Sequence, residues 1–217
     1  EPDTIDAQHL YYLTTPEVVS NNNIRYNMSD KLSSMIAQGH TMMIAPCGSE
    51  IEFAFPLQEV IDTYRKHKGI AVINSLSMSI PVDSIKNSFG VTPPPYALMV
   101  LKKDRDEFFA KNKLTDNVTS FYASYNAVTS TYDFSSMRSY ITSMLEKDEI
   151  TADDFTFSLV PVNVSFEELA SSGSYYFPTT ANTTESEIQP YATAPVMADV
   201  HIDEAKIKFT YSLQTQK

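Results

Sequence analysis

From residue 73 to 82 the chain reads INSLSMSIPV, in which Leu76, Met78, Ile80 and Val82 alternate with Ser75, Ser77 and Ser79. A period of two sends neighbouring side chains to opposite faces of a strand, so one face is apolar and the other hydroxylated. The apolar face belongs to a core. The serines are expected on the outer face or beneath a covering helix. Extended back through Val72 to Ile70, the same phase gives a long strand interrupted only at Asn74. EIEFAFP repeats the pattern, with Ile51, Phe53 and Phe55 against Glu50 and Glu52. In AKIKFTYSL, Ala205, Ile207, Phe209, Tyr211 and Leu213 alternate with Lys206, Lys208, Thr210 and Ser212. YALMVLKK is a further strand, and TSFYASYN and TYDF form a hairpin around AVTS. FTFSLVPVNVSF is apolar on both faces, as a central sandwich strand is.

Elsewhere the period lengthens. Leu57, Val60, Ile61 and Tyr64 fall at helical spacing, and the basic run Arg65, Lys66, His67 and Lys68 complements the dipole before Gly69. A helix over 57–68 follows. Met137, Tyr140, Ile141, Met144 and Leu145 predict a second over 136–146. SDKLSSMIAQG opens on Ser29 as N-cap, carries Leu32, Met35 and Ile36 on one face and stops at Gly39. DRDEFFAKNKL is a short helix or turn. Pro93, Pro94 and Pro95 force an extended connection, because proline has no amide to give a ladder. Residues 165–190, with SSGSYYFPTTANTT, read as one long polar connection.

These segments predict a mainly β chain: about eight strands in an antiparallel, jelly-roll-like β-sandwich with three or four peripheral helices. Its core is expected to include Phe53, Phe55, Leu76, Met78, Ile80, Leu159, Ile207 and Phe209. Residues 50–217 form the sandwich domain, and residues 1–49 are an N-terminal segment packing on it. At 217 residues and 42% hydrophobic content, the chain has enough apolar material for a sizeable core.

The net charge of −11 argues against a nucleic-acid partner and against electrostatic docking on anionic lipid. Cys47 is the single cysteine, which excludes an internal disulfide and a thiolate metal site. No apolar run reaches about 18 residues, so no span is expected. The chain opens on Glu1 rather than Met, which suggests a processed or excised segment with a signal peptide or lipid-anchor cysteine upstream.

Candidate chemistry is sparse. His9, His40, His67 and His201 are scattered without ligand spacing. His201 in DVHIDE has Asp199 and Asp203 two residues away on one strand face, a metal-binding pattern that more often is a solvated face. EKDEITADD, Glu146 to Asp154, lacks the alternating oxygens and central glycine of a calcium loop. Glu50 and Glu52 resemble a glycosidase pair, but such pairs come from different strands across a cleft. There is no GxSxG elbow, P-loop or GxGxxG. Neither an enzyme, a metal nor a cofactor is therefore assigned. N-x-S/T triplets at Asn27, Asn117, Asn163 and Asn182 are a weak glycosylation signal. Tyr175, Tyr176 and Phe177 in SYYFP are the candidate ligand contacts, weighed against a tucked satellite cluster beneath the loop.

INSLSMSIPVD, the proline run before YALMVLKKD, TSFYASYN with TYDFSSMRSYI, FTFSLVPV and IKFTYS occur in that order between about residue 50 and residue 213. This strand-by-strand pattern resembles the C-terminal half of a family of Bacteroidetes cell-envelope lipoproteins with no assigned activity. EIEFAFPL and INSLSMSIPV also look like jelly-roll modules of secreted carbohydrate-associated proteins. The resemblance implies export, a lipid anchor upstream of Glu1, an outer-membrane-anchored, periplasmic or cell-surface location, and a sandwich. It implies no functional residue. The expected role is a non-enzymatic envelope domain that is structural or binds a partner, either another envelope protein or a glycan. The alternative is a carbohydrate-binding module that captures polysaccharide.

Overall fold

A computed structural model describes residues 27–46, 48–66, 71–88, 90–168 and 183–213. The described chain runs α1 (Asp30–Ala37), β1 (Met42–Ala45), β2 (Ile51–Ala54), α2 (Leu57–Arg65), β3 (Ala71–Ser84), β4 (Tyr96–Leu101), α3 (Arg105–Ala110), β5 (Ser120–Asn126) and β6 (Thr131–Phe134). It continues with α4 (Arg138–Leu145), β7 (Thr156–Glu168), β8 (Thr183–Pro190), β9 (Val196–Val200) and β10 (Lys206–Leu213).

All strand pairs are antiparallel and join in the order β1-β9-β3-β6-β5-β4-β7-β2, with β10 also on β3 and β8 also on β7. The sheet curls until β1 lies beside β7, giving a sandwich that nearly closes as a barrel. Met78 pairs with Ile207 on one side and Phe134 on the other, which places β3 between β10 and β6. β1 falls within the stretch 1–49, yet it is a strand of the sheet through β9.

The interior is aromatic. Phe157 packs on Phe53, Phe55, Phe121 and Tyr140 with ring centroids 5.5–6.3 Å apart, mostly tilted or edge to face. α2 adds Leu57, Val60 and Ile61 to this core, and α4 adds Tyr140, Ile141 and Met144. A second cluster lies on the outer face of β4 and β7, where α3 lays Phe108 over Leu98, Val100, Val160 and Val162. That cover is why β4 and β7 are apolar on both faces. A third cluster sits under α1, whose Leu32 packs with Met42 and Ile44. The Ser29 hydroxyl caps α1 by accepting the Leu32 amide at 3.3 Å, and Gly39 ends the element at φ +95°.

Four features depart from expectation. Ten strands are present among the described residues, where about eight were expected. The phase of β3 inverts at Asn74: Ile73 is buried, while Val72 is 51% exposed. Tyr211 pairs with Ile73 and Thr210 with Ser75, so Asn74 is an extra residue and its bulge switches the faces. Ile70 lies outside the described residues. The span 165–190 is not one connection, because β7 continues to Glu168 and β8 occupies Thr183–Pro190 beside it. β8 buries only Ile188, so period-two hydrophobicity has almost nothing to show there. Finally, Ile207 and Phe209 are half-buried against the core rather than within it, because among the described strands β10 pairs only with β3. The other six expected core residues are buried.

The turn from β1 to β2 is tight. The Ile44 amide donates to the Ser49 carbonyl at 3.0 Å, and the Ser49 hydroxyl donates to the Met42 carbonyl at 2.6 Å. A Cβ on Gly48 would lie 2.4 Å from the Ile44 carbonyl oxygen. Gly48→Ala is therefore expected to cost about 1–3 kcal/mol, read as a lower urea midpoint. An unchanged midpoint would mean that the turn relaxes freely.

Candidate functional site

On the outer face of β5 and β6 a polar groove of about 320 Å³ is lined by Thr115, Asn117, Tyr122, Ser124, Asp133 and Glu185 among others. Alternation builds its floor. Phe121 and Ala123 point inward, leaving Tyr122 and Ser124 outside. Ser79 pairs with Asp133 across β3 and β6, and its hydroxyl donates to Asp133 Oδ1 at 2.5 Å. The hydroxylated face of β3 thus continues into the groove through Asp133. Thr131 Oγ1 donates to the other carboxylate oxygen at 3.1 Å.

One wall is a turn organised by Asp116, whose carboxylate accepts the amides of Val118, Thr119 and Ser120 at 2.7–3.0 Å. Burial works against ionisation of Asp116, but these amides and the Thr119 hydroxyl outweigh it and lower its pKa. The turn holds Asn117 at φ 57° and presents it beside Thr115. The opposite wall is β8. Ser165 pairs with Glu187 and Phe166 with Glu185, so Ser186 is a bulge that re-aims Glu185. Glu185 accepts the Thr115 hydroxyl at 3.2 Å and the Tyr122 hydroxyl. Burial, then the Glu185 hydrogen bond, push the Tyr122 phenol up to about 12. Tyr122, Tyr96 and Phe166 form a row with neighbouring ring centroids 6.2 Å apart, and Phe166 is 44% exposed. Carboxylates, an amide, hydroxyls and a row of rings share one surface.

A second recess of about 200 Å³ includes His40, Asp199, His201 and Asp203. The expected shared strand face is not formed. β9 ends at Val200, and Ile202–Glu204 make a 3₁₀ turn. Asp199 is buried and its Oδ2 bonds His40 Nδ1, while His201 Nε2 lies 3.2 Å from Asp83. Asp199 Oδ1 is buried without a hydrogen-bond partner among the described residues. Among the described residues no three His, Cys, Asp or Glu side chains converge as metal ligands.

The other sequence candidates resolve into ion pairs. Glu52 meets Lys102 at 2.6 Å, and Glu50 takes a forked contact from Arg105. From the acidic run 146–154, Asp154 turns inward onto Lys103 and Lys147. Asn163 donates to Thr193 at 2.8 Å. Tyr175, Tyr176 and Phe177 lie outside the described residues, as do His9, Cys47, His67 and Asn182. Sequence reasoning missed the groove because Glu185 and Asp133 sit on different strands, far apart in the chain. The one available signal was the hydroxylated face of β3. No family model, curated protein or solved structure matches the chain.

Proposed function

We propose that this chain is a non-enzymatic domain of the cell envelope that binds a polyhydroxylated ligand, a glycan, in the groove between the 115–120 turn, β5, β6 and β8. The observation that carries the reading is the joining of Glu185, Asp133 and Asn117 to the row Tyr122, Tyr96 and Phe166. Carboxylate and amide groups accept and donate to sugar hydroxyls, and rings cover the apolar face of a pyranose. Export and an anchor preceding the chain rest on the lipoprotein resemblance. A second reading, contact with another envelope protein, is favoured by the exposed Phe166 ring.

A glycan array probed with the full chain separates the two. We expect a reproducible hit that weakens at least tenfold in Glu185→Ala and in Phe166→Ala, with an unchanged melting temperature. An empty array would remove the glycan reading. A hit indifferent to both substitutions would move it away from this groove.

A further inference from the structure

We infer that a separate site, the cavity between α1 and segment 85–88, binds a single-chain amphiphilic anion, with its alkyl body inside and its carboxylate at the rim. α1 buries only Leu32 and leaves Ile36 38% exposed. Met35, Ile85 and Met197 lie at the margin of the cluster beneath the helix rather than inside it. Between them opens a cavity of about 370 Å³, within the range of about 300–1,000 Å³ usual for small-ligand sites. Two of its four apolar residues are methionines, whose flexible thioethers adapt to an irregular alkyl shape.

The rim sets the charge. The chain carries 27 acidic residues against 16 basic ones, yet among the described residues the lining includes Lys31 and Lys86 and no carboxylate. Neither lysine has an ion-pair partner among the described residues. An alkyl floor beneath two uncompensated ammonium groups selects an apolar tail with an anionic head. The far wall is held by its own hydrogen bonds. Asn87 Oδ1 accepts the Val91 amide at 2.9 Å, and its Nδ2 donates to the Ile85 and Val91 carbonyls at 2.8 Å. The Met197 amide donates to the Thr92 carbonyl at 3.0 Å, fixing that wall to β9. The cavity is therefore formed in advance, which limits the ordering cost of binding.

Calorimetric titration of the full chain with dodecanoate and with dodecyltrimethylammonium, each below its micelle threshold, tests the site. We expect one dodecanoate per chain, bound at least tenfold more tightly than the cation. The pair Lys31→Glu and Lys86→Glu should reverse that order, and both lysines are exposed enough to leave folding intact. Met35→Trp, which fills the cavity, should abolish binding of both probes. Dodecanoate should raise the melting temperature of the parent chain and leave that of Met35→Trp unmoved. Equal binding of the two probes, or dodecanoate affinity unchanged by the charge reversal, overturns the inference. So does concentration-dependent dimerisation that excludes dodecanoate, because a second copy would then cover the cavity.

Discussion

Asp154→Ala should cost about 2–4 kcal/mol of stability at neutral pH, although the residue lines neither proposed ligand site. Its side chain is 2% exposed, with Lys103 Nζ at 3.0 Å and Lys147 Nζ at 2.6 Å. It also accepts the Thr151 amide at 3.0 Å, and its main-chain oxygen accepts the Tyr140 hydroxyl at 3.0 Å. Alanine would leave the two cations and a backbone donor without their acceptor. Losing one partner of a fully buried pair costs about 3–5 kcal/mol. Both lysines are about 40% exposed and regain water, which lowers the expected figure.

The pH dependence follows from the same cluster. Burial of Asp154 opposes its ionisation, but the Lys147 contact, the Thr151 amide and Lys103 outweigh it and hold the carboxyl well below its usual range. A depressed folded pKa stabilises above the unfolded pKa of about 4 and loses that contribution as pH falls below it. Urea titrations at pH 7 and pH 3 should therefore show a smaller gap between the parent and Asp154→Asn at the acid value. A loss below about 1 kcal/mol for Asp154→Ala at pH 7 would show the cluster to be peripheral.

The second large effect is expected on the alkaline side. Tyr132 and Tyr140 are fully buried, and burial pushes both phenols well above their ordinary range, with smaller contributions from Tyr125 and Asp154 respectively. Both phenols stay neutral in the folded chain at pH values where the unfolded chain ionises, above about 10. Stability is thus insensitive to these groups below pH 10 and falls above it, by about 1.4 kcal/mol per pH unit for each residue. The two together remove about 3 kcal/mol by pH 11, and Tyr122 adds a smaller share. Tyr132→Phe should take about 1.4 kcal/mol per pH unit off that slope while costing about 1 kcal/mol at neutral pH, because its hydroxyl donates to the Pro94 carbonyl at 2.5 Å. Urea midpoints that stay level from pH 9 to 11 would contradict this account.

What the sequence made legible follows burial. β2, β5 and β6, and helices α2 and α4, show apolar periodicity because each has one face against the central core, whereas β4 and β7 read as unbroken apolar runs because both their faces are covered. β1 is buried throughout and only four residues long, too short to distinguish from a helical fragment. β8 is polar because it pairs at the margin of β7, and β9 follows a stretch with no alternation to announce it. The groove was half legible. Ser75, Ser77 and Ser79 mark the hydroxylated face, but Glu185 reaches the groove through a bulge, and no period encodes a bulge. The His40–Asp199 contact joins residues 159 positions apart, beyond any local pattern.

The arrangement around β3 constrains how the molecule comes to be folded. The central strand receives β6 from its own neighbourhood, but its other edge is filled by β9 and β10, and among the described strands only β9 ties β1 into the sheet. Lys206 pairs with Ser79 and Asp199 with Met42, so the contacts that complete the sheet close loops spanning most of the chain. Such closures are entropically costly and slow folding relative to a chain of local hairpins. Until the last strands arrive, β3 exposes an unpaired ladder beside Leu76 and Ile80, a surface prone to pair with other chains. A chain cut off before β9 should therefore aggregate rather than persist as a stable intermediate.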